Sequence, residues 1–287
     1  MTNNIGWCDR TINPLVGCTP ASTGCANCYA ATDTWIRQHN PSSPHYQAGL
    51  TKSSGVWSGS VIFRPEVLEQ IRRIKKPQRI FMPSLSDPFH PNVKEEWLEQ
   101  IFNCIYDCPH LTFQMLTKRP ERMLDWISRS AFLVNAPLEN LWLGTSIENQ
   151  QTANERCPSL TQLTDVGYTT FLSMEPLLEP IDLAAAGAVE QCSSDSNKSS
   201  PDNYEPLVSW VIIGGESGHN ARQCSPLWIR SIVSQCKAAG IPVYVKQLGT
   251  DWAKQSATHR SDTKGANPQM WAEDLLFREF PGVRSRF

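Results

Sequence analysis

The sequence has no apolar run long enough to cross a bilayer, which takes about 20 consecutive apolar residues in a helix. No membrane partner is therefore expected. The segment Met1-Thr2-Asn3-Asn4-Ile5-Gly6-Trp7 lacks the basic and apolar regions of a secretory signal. The predicted location is cytoplasmic, where thiols stay reduced. The 10 cysteines are then expected free or metal-bound, without a disulfide framework. Charge of one sign is missing too: 26 Lys and Arg stand against 28 Asp and Glu, a formal net charge of -2. Net charge makes no case for nucleic acid as a partner, and no basic, aromatic-laced stretch supplies one. A local basic groove is the one route left open to it. Internal repeats and a strong domain boundary are also absent, so the 287 residues are read as a single domain over 1–287.

What is present is a rhythm of apolar runs. Arg79–Pro83, Thr112–Leu116, Leu141–Gly144, Thr170–Met174, Trp210–Gly214 and Val243–Val245 read as strands, and Thr11–Val16 as a first one. Their continuous apolar character predicts burial on both faces, as in a parallel sheet. Helical patterns lie between most of them. Val67, Leu68, Ile71 and Ile74 share a face in Pro65–Lys75, and Trp97, Leu98, Ile101 and Ile105 form a second stripe. Met123, Trp126 and Ile127 form a third, and Trp228, Ile229, Ile232 and Val233 lead to a stop at Gly240 and Pro242. The alternation predicts an α/β fold, a (β/α) barrel of TIM type, complete or partial, with about seven parallel strands. Two stretches interrupt it. His39–Ser60 reads as a long loop, and 187–206, with its Ser-rich Cys192–Pro201 tract, as a flexible insertion in place of a helix.

Polar residues follow nearly every strand. They are Ser84, Ser86 and Asp87 after the second, Lys118 and Arg119 after the third, and Ser146 and Glu148 after the fourth. Glu175 follows the fifth, Gly214-Gly215-Glu216 the sixth, and Lys246 the seventh. In a βα barrel such positions gather at the mouth that carries the active site. Solvated loop residues are the plain alternative at each. Glu216 either accepts from a ribose or amino group or sits on a tight turn. Lys118 and Arg119 open a helix, where the dipole disfavours cations, so either an anionic ligand offsets the cost or water solvates them. Glu175 and Asp87, each followed by Pro, are candidates to orient a ligand or move a proton, and Lys246 to contact substrate. Trp57, Trp142 and Trp252 are read as packing.

The sharpest signal is Cys18, Cys25 and Cys28, spaced Cys-x6-Cys-x2-Cys. Three thiolates hold an iron–sulfur cluster with one iron left open for a small molecule, whereas four ligands close a structural site. Cys25 and Cys28 are expected on the first turn of a helix through Ala30, Ala31 and Trp35, where the dipole favours thiolates. The competing reading is a zinc site completed by Cys8. An extended first strand would carry Cys8 away from the other three. Cys104 and Cys108 have helical spacing and read as core thiols or as a metal pair; Cys157, Cys192, Cys224 and Cys236 form no cluster.

These motifs together resemble the phage and bacterial three-Cys-motif family, relatives of the radical S-adenosylmethionine superfamily. The matching segments are Trp7-Cys8-Asp9 to Asn13-Pro14, Gly17-Cys18 to Tyr29-Ala30, Ser84–Asp87, Leu116–Pro120, Trp142–Gly144, Glu175–Leu177, Gly214–Gly218, and Val245–Gln247 with Gly249. The resemblance implies a 4Fe-4S cluster on Cys18, Cys25 and Cys28 whose open iron binds S-adenosylmethionine. Reductive cleavage of that cofactor would give a 5′-deoxyadenosyl radical that takes hydrogen from an unknown substrate, with an external electron donor as partner. It further implies the cofactor's amino group near Ser84, Ser86 or Asp87 and its carboxylate near Lys118 or Arg119. The ribose would lie near Ser146 and Glu148, and the adenine near Gly214 and Gly215. The rival function is a non-catalytic Zn- or Fe-S-binding module that recognises nucleic acid. A radical enzyme that modifies a nucleobase would merge the two.

Overall fold

The computed structural model describes residues 5–46, 49–191, 204–256 and 260–282. Two compact units divide the chain, Met1–Gly144 and Thr145–Phe287. The main sheet has seven strands: β1 (Arg10–Thr11), β2 (Arg79–Phe81), β3 (Thr112–Thr117), β4 (Leu141–Ser146), β5 (Thr169–Met174), β6 (Trp210–Gly214) and β7 (Val243–Gln247). They are ordered sequentially from β1 to β7, each beside its predecessor. A doubly wound sheet would reverse direction at a switch point, and none occurs here. The pairs β1–β2, β2–β3, β5–β6 and β6–β7 are parallel. Every residue of Trp210–Gly214 is buried, as strands covered on both faces require.

The first unit carries α1 (Tyr29–Gln38), α2 (Pro65–Arg72), α3 (Glu95–Tyr106), α4 (Pro120–Ser128) and α5 (Ala131–Asn135). The second carries α6 (Gln150–Val166), α7 (Pro226–Ala238) and α8 (Thr250–Gln255). Proline opens α2, α4 and α7, where its missing N–H costs nothing. α3 turns Leu98, Ile101, Phe102, Cys104 and Ile105 inward, the face its periodicity predicts.

Four expectations need correction. The first strand is not continuous over Thr11–Val16. Arg10–Thr11 joins the main sheet, while Leu15–Val16 pairs antiparallel with Ile62–Phe63. Asn13-Pro14 causes the break, because Pro has no N–H for the ladder and Asn13 turns its side chain onto Ser84 and Leu85. His39–Ser60 is more than a loop: it holds a turn at Pro44–Tyr46 and a small hairpin of Thr51–Ser53 with Val56–Trp57. Gln38 clamps that hairpin, accepting from Thr51 N at 3.0 Å and donating to Thr51 O at 3.3 Å. The helix from Pro65 stops at Arg72 rather than Lys75. Finally, Cys25 lies in a 3-10 turn, Thr23–Cys25, and α1 begins only at Tyr29 with Cys28 as its N-cap.

In 187–206, Val189–Gln191 and Tyr204–Pro206 pair antiparallel, so the insertion has a β-ladder at its base. Its tract 192–203 lies outside the described residues. At the outer edge of β7 the chain returns, with Val245 N bonded to Phe277 O at 2.7 Å and Glu279 N to Val243 O at 2.9 Å. That return covers a strand edge that would otherwise offer open hydrogen bonds.

Candidate metal centre and polar strand ends

In the first unit, the approach to Cys18 is fixed by Gly17. Its φ is +107°, and a Cβ there would stand 2.0 Å from Ser60 O, so only glycine fits. Gly17 N bonds Leu85 O at 3.0 Å, and Ser86 Oγ donates to Gly17 O at 2.6 Å. Ser86 therefore anchors the backbone that delivers Cys18. Ser84 is anchored likewise: its N–H and hydroxyl reach Asn13 Oδ1 at 2.6 and 3.2 Å.

Cys18, Cys25 and Cys28 are partly exposed and lie within one another's electrostatic reach. Cys18 and Cys28 pack on a small core of Val16, Ala31, Leu50, Trp57 and Leu85. Burial, followed by the Asp87 charge, pushes the Cys18 thiol up to about 12 against the pull of Arg119. Burial also raises Cys28, although the Ala31 N–H and the Trp57 indole favour its thiolate. For Cys25 the balance reverses. Burial would raise it, but the Lys118 ammonium and the N–H groups of Ala21 and Ser22 hold it below the usual thiol value. Trp57 thus packs and also serves a thiol.

Asp87 is the hub behind the thiols. Its Oδ1 accepts from Thr117 Oγ1 at 2.6 Å and Phe89 N at 3.0 Å; its Oδ2 accepts from Arg119 Nη1 at 2.6 Å and Lys118 N at 3.1 Å. Arg119 Nη2 continues to Thr19 O at 3.2 Å and Thr19 Oγ1 at 3.1 Å. Burial alone would lower the Arg119 pKa, and Asp87 and Cys18 together more than reverse it. Thr19 Oγ1 also meets His90 Nε2 at 2.9 Å. His90 Nδ1 accepts from Asn92 N at 3.0 Å, so the Nε2 proton points to Thr19. Burial, then Arg119, lowers the His90 pKa from its ordinary value, which favours the neutral ring.

Cys8 lies at the other end of the sheet. Asp9 N bonds Arg79 O at the start of β2, whereas Gly17 bridges Ser86 beyond its end. Cys8 is buried, with its thiol 3.7 Å from Ile5 O. Cys104 and Cys108 are buried, and the Cys104 thiol meets Leu68 O at 3.6 Å, as core thiols do. Cys192 lies outside the described residues.

Among the described residues, no group of three or more His, Cys, Asp or Glu surrounds a single metal-ion position. A cubane asks for something different, because each cysteine binds its own iron and the sulfurs stand farther apart than around one ion. The donor chemistry fits such a group: three neighbouring thiols, with the Lys118 and Arg119 cations and backbone N–H groups to offset thiolate charge.

In the second unit the strand-end acids are paired with cations. Glu148 is fully buried and accepts from Arg156 Nη1 at 3.2 Å; the same nitrogen donates to Ser146 O at 2.6 Å. Arg222 grips Glu216 with Nε at 2.9 Å and Nη2 at 2.5 Å on separate oxygens, and its N–H adds a third bond at 2.8 Å. Glu175 Oε1 accepts from Lys246 Nζ at 2.5 Å and Gln247 Nε2 at 3.1 Å, and this pair keeps partial exposure. A Cβ on Gly214 would press on Glu175 at 3.3 Å; one on Gly215 would meet Leu248 O at 2.4 Å. The close backbone approach that Gly215 permits is therefore from this chain's own residues 248–249. Of the three acids, Glu175 is the one with access to a ligand while still paired.

Sequence patterning points to no role for Thr19, His90, Arg156 or Arg222; Thr117 and Gln247 stand among the strand-end polar residues, without a role of their own. Thr19 adjoins Cys18, which is the one signal available for it.

A family model described as "Protein of unknown function (DUF5131)" matches residues 2–279. The chain belongs to the DUF5131 family. The match takes in the three thiols, Asp87, Arg119 and Glu175, so these sites lie within the DUF5131 region. That description names no activity for DUF5131 proteins. No curated protein and no solved structure matches the chain.

Proposed function

We propose that this protein is a radical S-adenosylmethionine-type enzyme, with Cys18, Cys25 and Cys28 as ligands of a 4Fe-4S cluster. The observation that carries the reading is the trio of neighbouring, partly exposed thiols flanked by Lys118 and Arg119, with Cys8 at the opposite end of the sheet. Three ligands leave a coordination position open, which suits a cofactor that must bind and react. The chemistry supplied by the bound cofactors is one-electron cleavage of the sulfonium, followed by hydrogen abstraction from substrate.

The protein's own contribution is placement and charge. Gly17 and Ser86 fix the backbone before Cys18, the Cys25 thiolate is favoured by Lys118 and N–H groups, and Trp57 covers Cys28. In the second unit, Glu175 with Lys246 and Gln247 is suited to hold a proton or a polar substrate group. The sequential strand order and the four parallel pairs support reading the sheet as a partial (β/α) barrel.

The test is electron paramagnetic resonance on anaerobically reconstituted, reduced protein, with and without S-adenosylmethionine. A cubane signal that changes on addition is expected. A cubane indifferent to the cofactor, or zinc bound with no iron signal, would overturn the reading; zinc would favour the binding module.

A further inference from the structure

Thr19 O serves two groups. The Cys18 sulfur approaches it at 3.3 Å and Arg119 Nη2 at 3.2 Å. The guanidinium is held in place: Nη1 sits on Asp87 at 2.6 Å, Nη2 also reaches Thr19 Oγ1 at 3.1 Å, and the ion pair is 12% and 7% exposed. Sharing Thr19 O makes the guanidinium and the Cys18 sulfur close neighbours. A metal-bound cysteine is a thiolate and has no proton to give. Once Cys18 is ligated, its interaction with Thr19 O is lost, and the fixed charge beside the sulfur is Arg119.

We propose that Arg119 is a positioning residue for the Cys18 corner of the centre, aimed by Asp87 and Thr19, and that its charge raises the reduction potential of the cluster. This rests on the cluster reading above. A cation beside a ligand sulfur stabilises the more negative, reduced cluster, and hydrogen bonds to the sulfurs act in the same direction. The arrangement takes Arg119 away from the carboxylate of S-adenosylmethionine, because Nη1 and Nη2 are already engaged on Asp87 and Thr19. Lys118 is the neighbouring cation that keeps that role.

The experiment is a redox titration of the reconstituted holoprotein, wild type against Arg119→Met and Arg119→Lys, with the spectroscopic response to S-adenosylmethionine recorded for each. Arg119→Met is expected to lower the equilibrium constant for reduction about tenfold, about 59 mV for one electron. Arg119→Lys keeps a charge but loses the planar fork, and a smaller shift in the same direction is expected. Both variants should still respond to S-adenosylmethionine. Arg119→Met strips a buried carboxylate of its partner, so Arg119→Lys decides the matter if the first does not accumulate. An unchanged midpoint in either folded variant overturns the inference. So does a lost response to S-adenosylmethionine at unchanged midpoint, which would return Arg119 to the carboxylate. A wild-type protein that takes up no iron removes the cluster reading itself, and is recognised before any variant is compared.

Discussion

Cys18 and Cys157 both have thiols pushed up to about 12, yet they sit in opposite kinds of place. Burial is the sole cause at Cys157, which is fully buried on α6. At Cys18, burial acts together with Asp87, Arg119, Cys25 and Cys28. Cys224 repeats the Cys157 pattern, with burial alone raising it to about 12. The value of a shift therefore does not by itself separate a candidate ligand from a core thiol such as Cys157. At Cys157 and Cys224 no charge contributes, whereas the N-terminal trio faces cations and N–H groups able to take up negative charge.

The widest separation between the two kinds of thiol is expected in metal content. Cys18→Ala should lose nearly all iron and sulfide after anaerobic reconstitution, while Cys157→Ala should match wild type in iron per chain. Equal iron in both variants would erase the distinction. Gly17→Ala attacks the same corner through the backbone, since the added methyl meets Ser60 O at a positive φ. A destabilisation of about 3 kcal/mol or more is expected in urea unfolding. Cys157→Ser tests the core side. A hydroxyl in an apolar site should cost about 1–3 kcal/mol in the same measurement, with iron binding retained by the folded fraction.

Alkylation sharpens the contrast within the trio. In metal-free protein, Cys25 should react at lower pH than Cys18, because its thiolate is favoured and that of Cys18 is disfavoured. Cys157 should react only through unfolding. Peptide mass spectrometry across a pH series reads this directly, and equal rates for Cys18 and Cys25 at pH 7 would contradict it. The smallest effect belongs to Asp9, at the end of the sheet away from Cys18, Cys25 and Cys28. Burial would raise its pKa, but the Arg79 N–H and guanidinium hold it below the usual 3.8. A depressed carboxylate contributes stability above 3.8 and loses it as pH falls through the folded value. Asp9→Asn should therefore be less stable than wild type at pH 7, and the difference should shrink in acid; a constant difference from pH 7 to pH 3 would contradict this.

Much of this was legible along the chain. The apolar runs at 79–83, 112–116, 141–144, 170–174, 210–214 and 243–245 each mark a strand, though the first ends at Phe81, because a strand buried on both faces must be apolar at consecutive positions. Leu15–Val16 is as apolar as a strand of the main sheet, and only its partner, Ile62–Phe63, shows that it belongs elsewhere. α6 escaped periodicity because Thr, Gln and Asn fill much of it, with Pro158 inside; its capping box at Asn149 and Thr152 was the readable sign.

The sequence by itself determined which residues stand at strand ends and which thiols cluster, since both depend on short spacing and on apolar runs that must be buried. Tertiary structure alone decided which of the polar groups are already engaged. Asp87 meets Arg119 across 32 residues and Glu175 meets Lys246 across 71, and no local pattern records such pairings. The physical reason is that a buried charge takes whatever partner the packing brings to it, and packing joins segments that are remote along the chain.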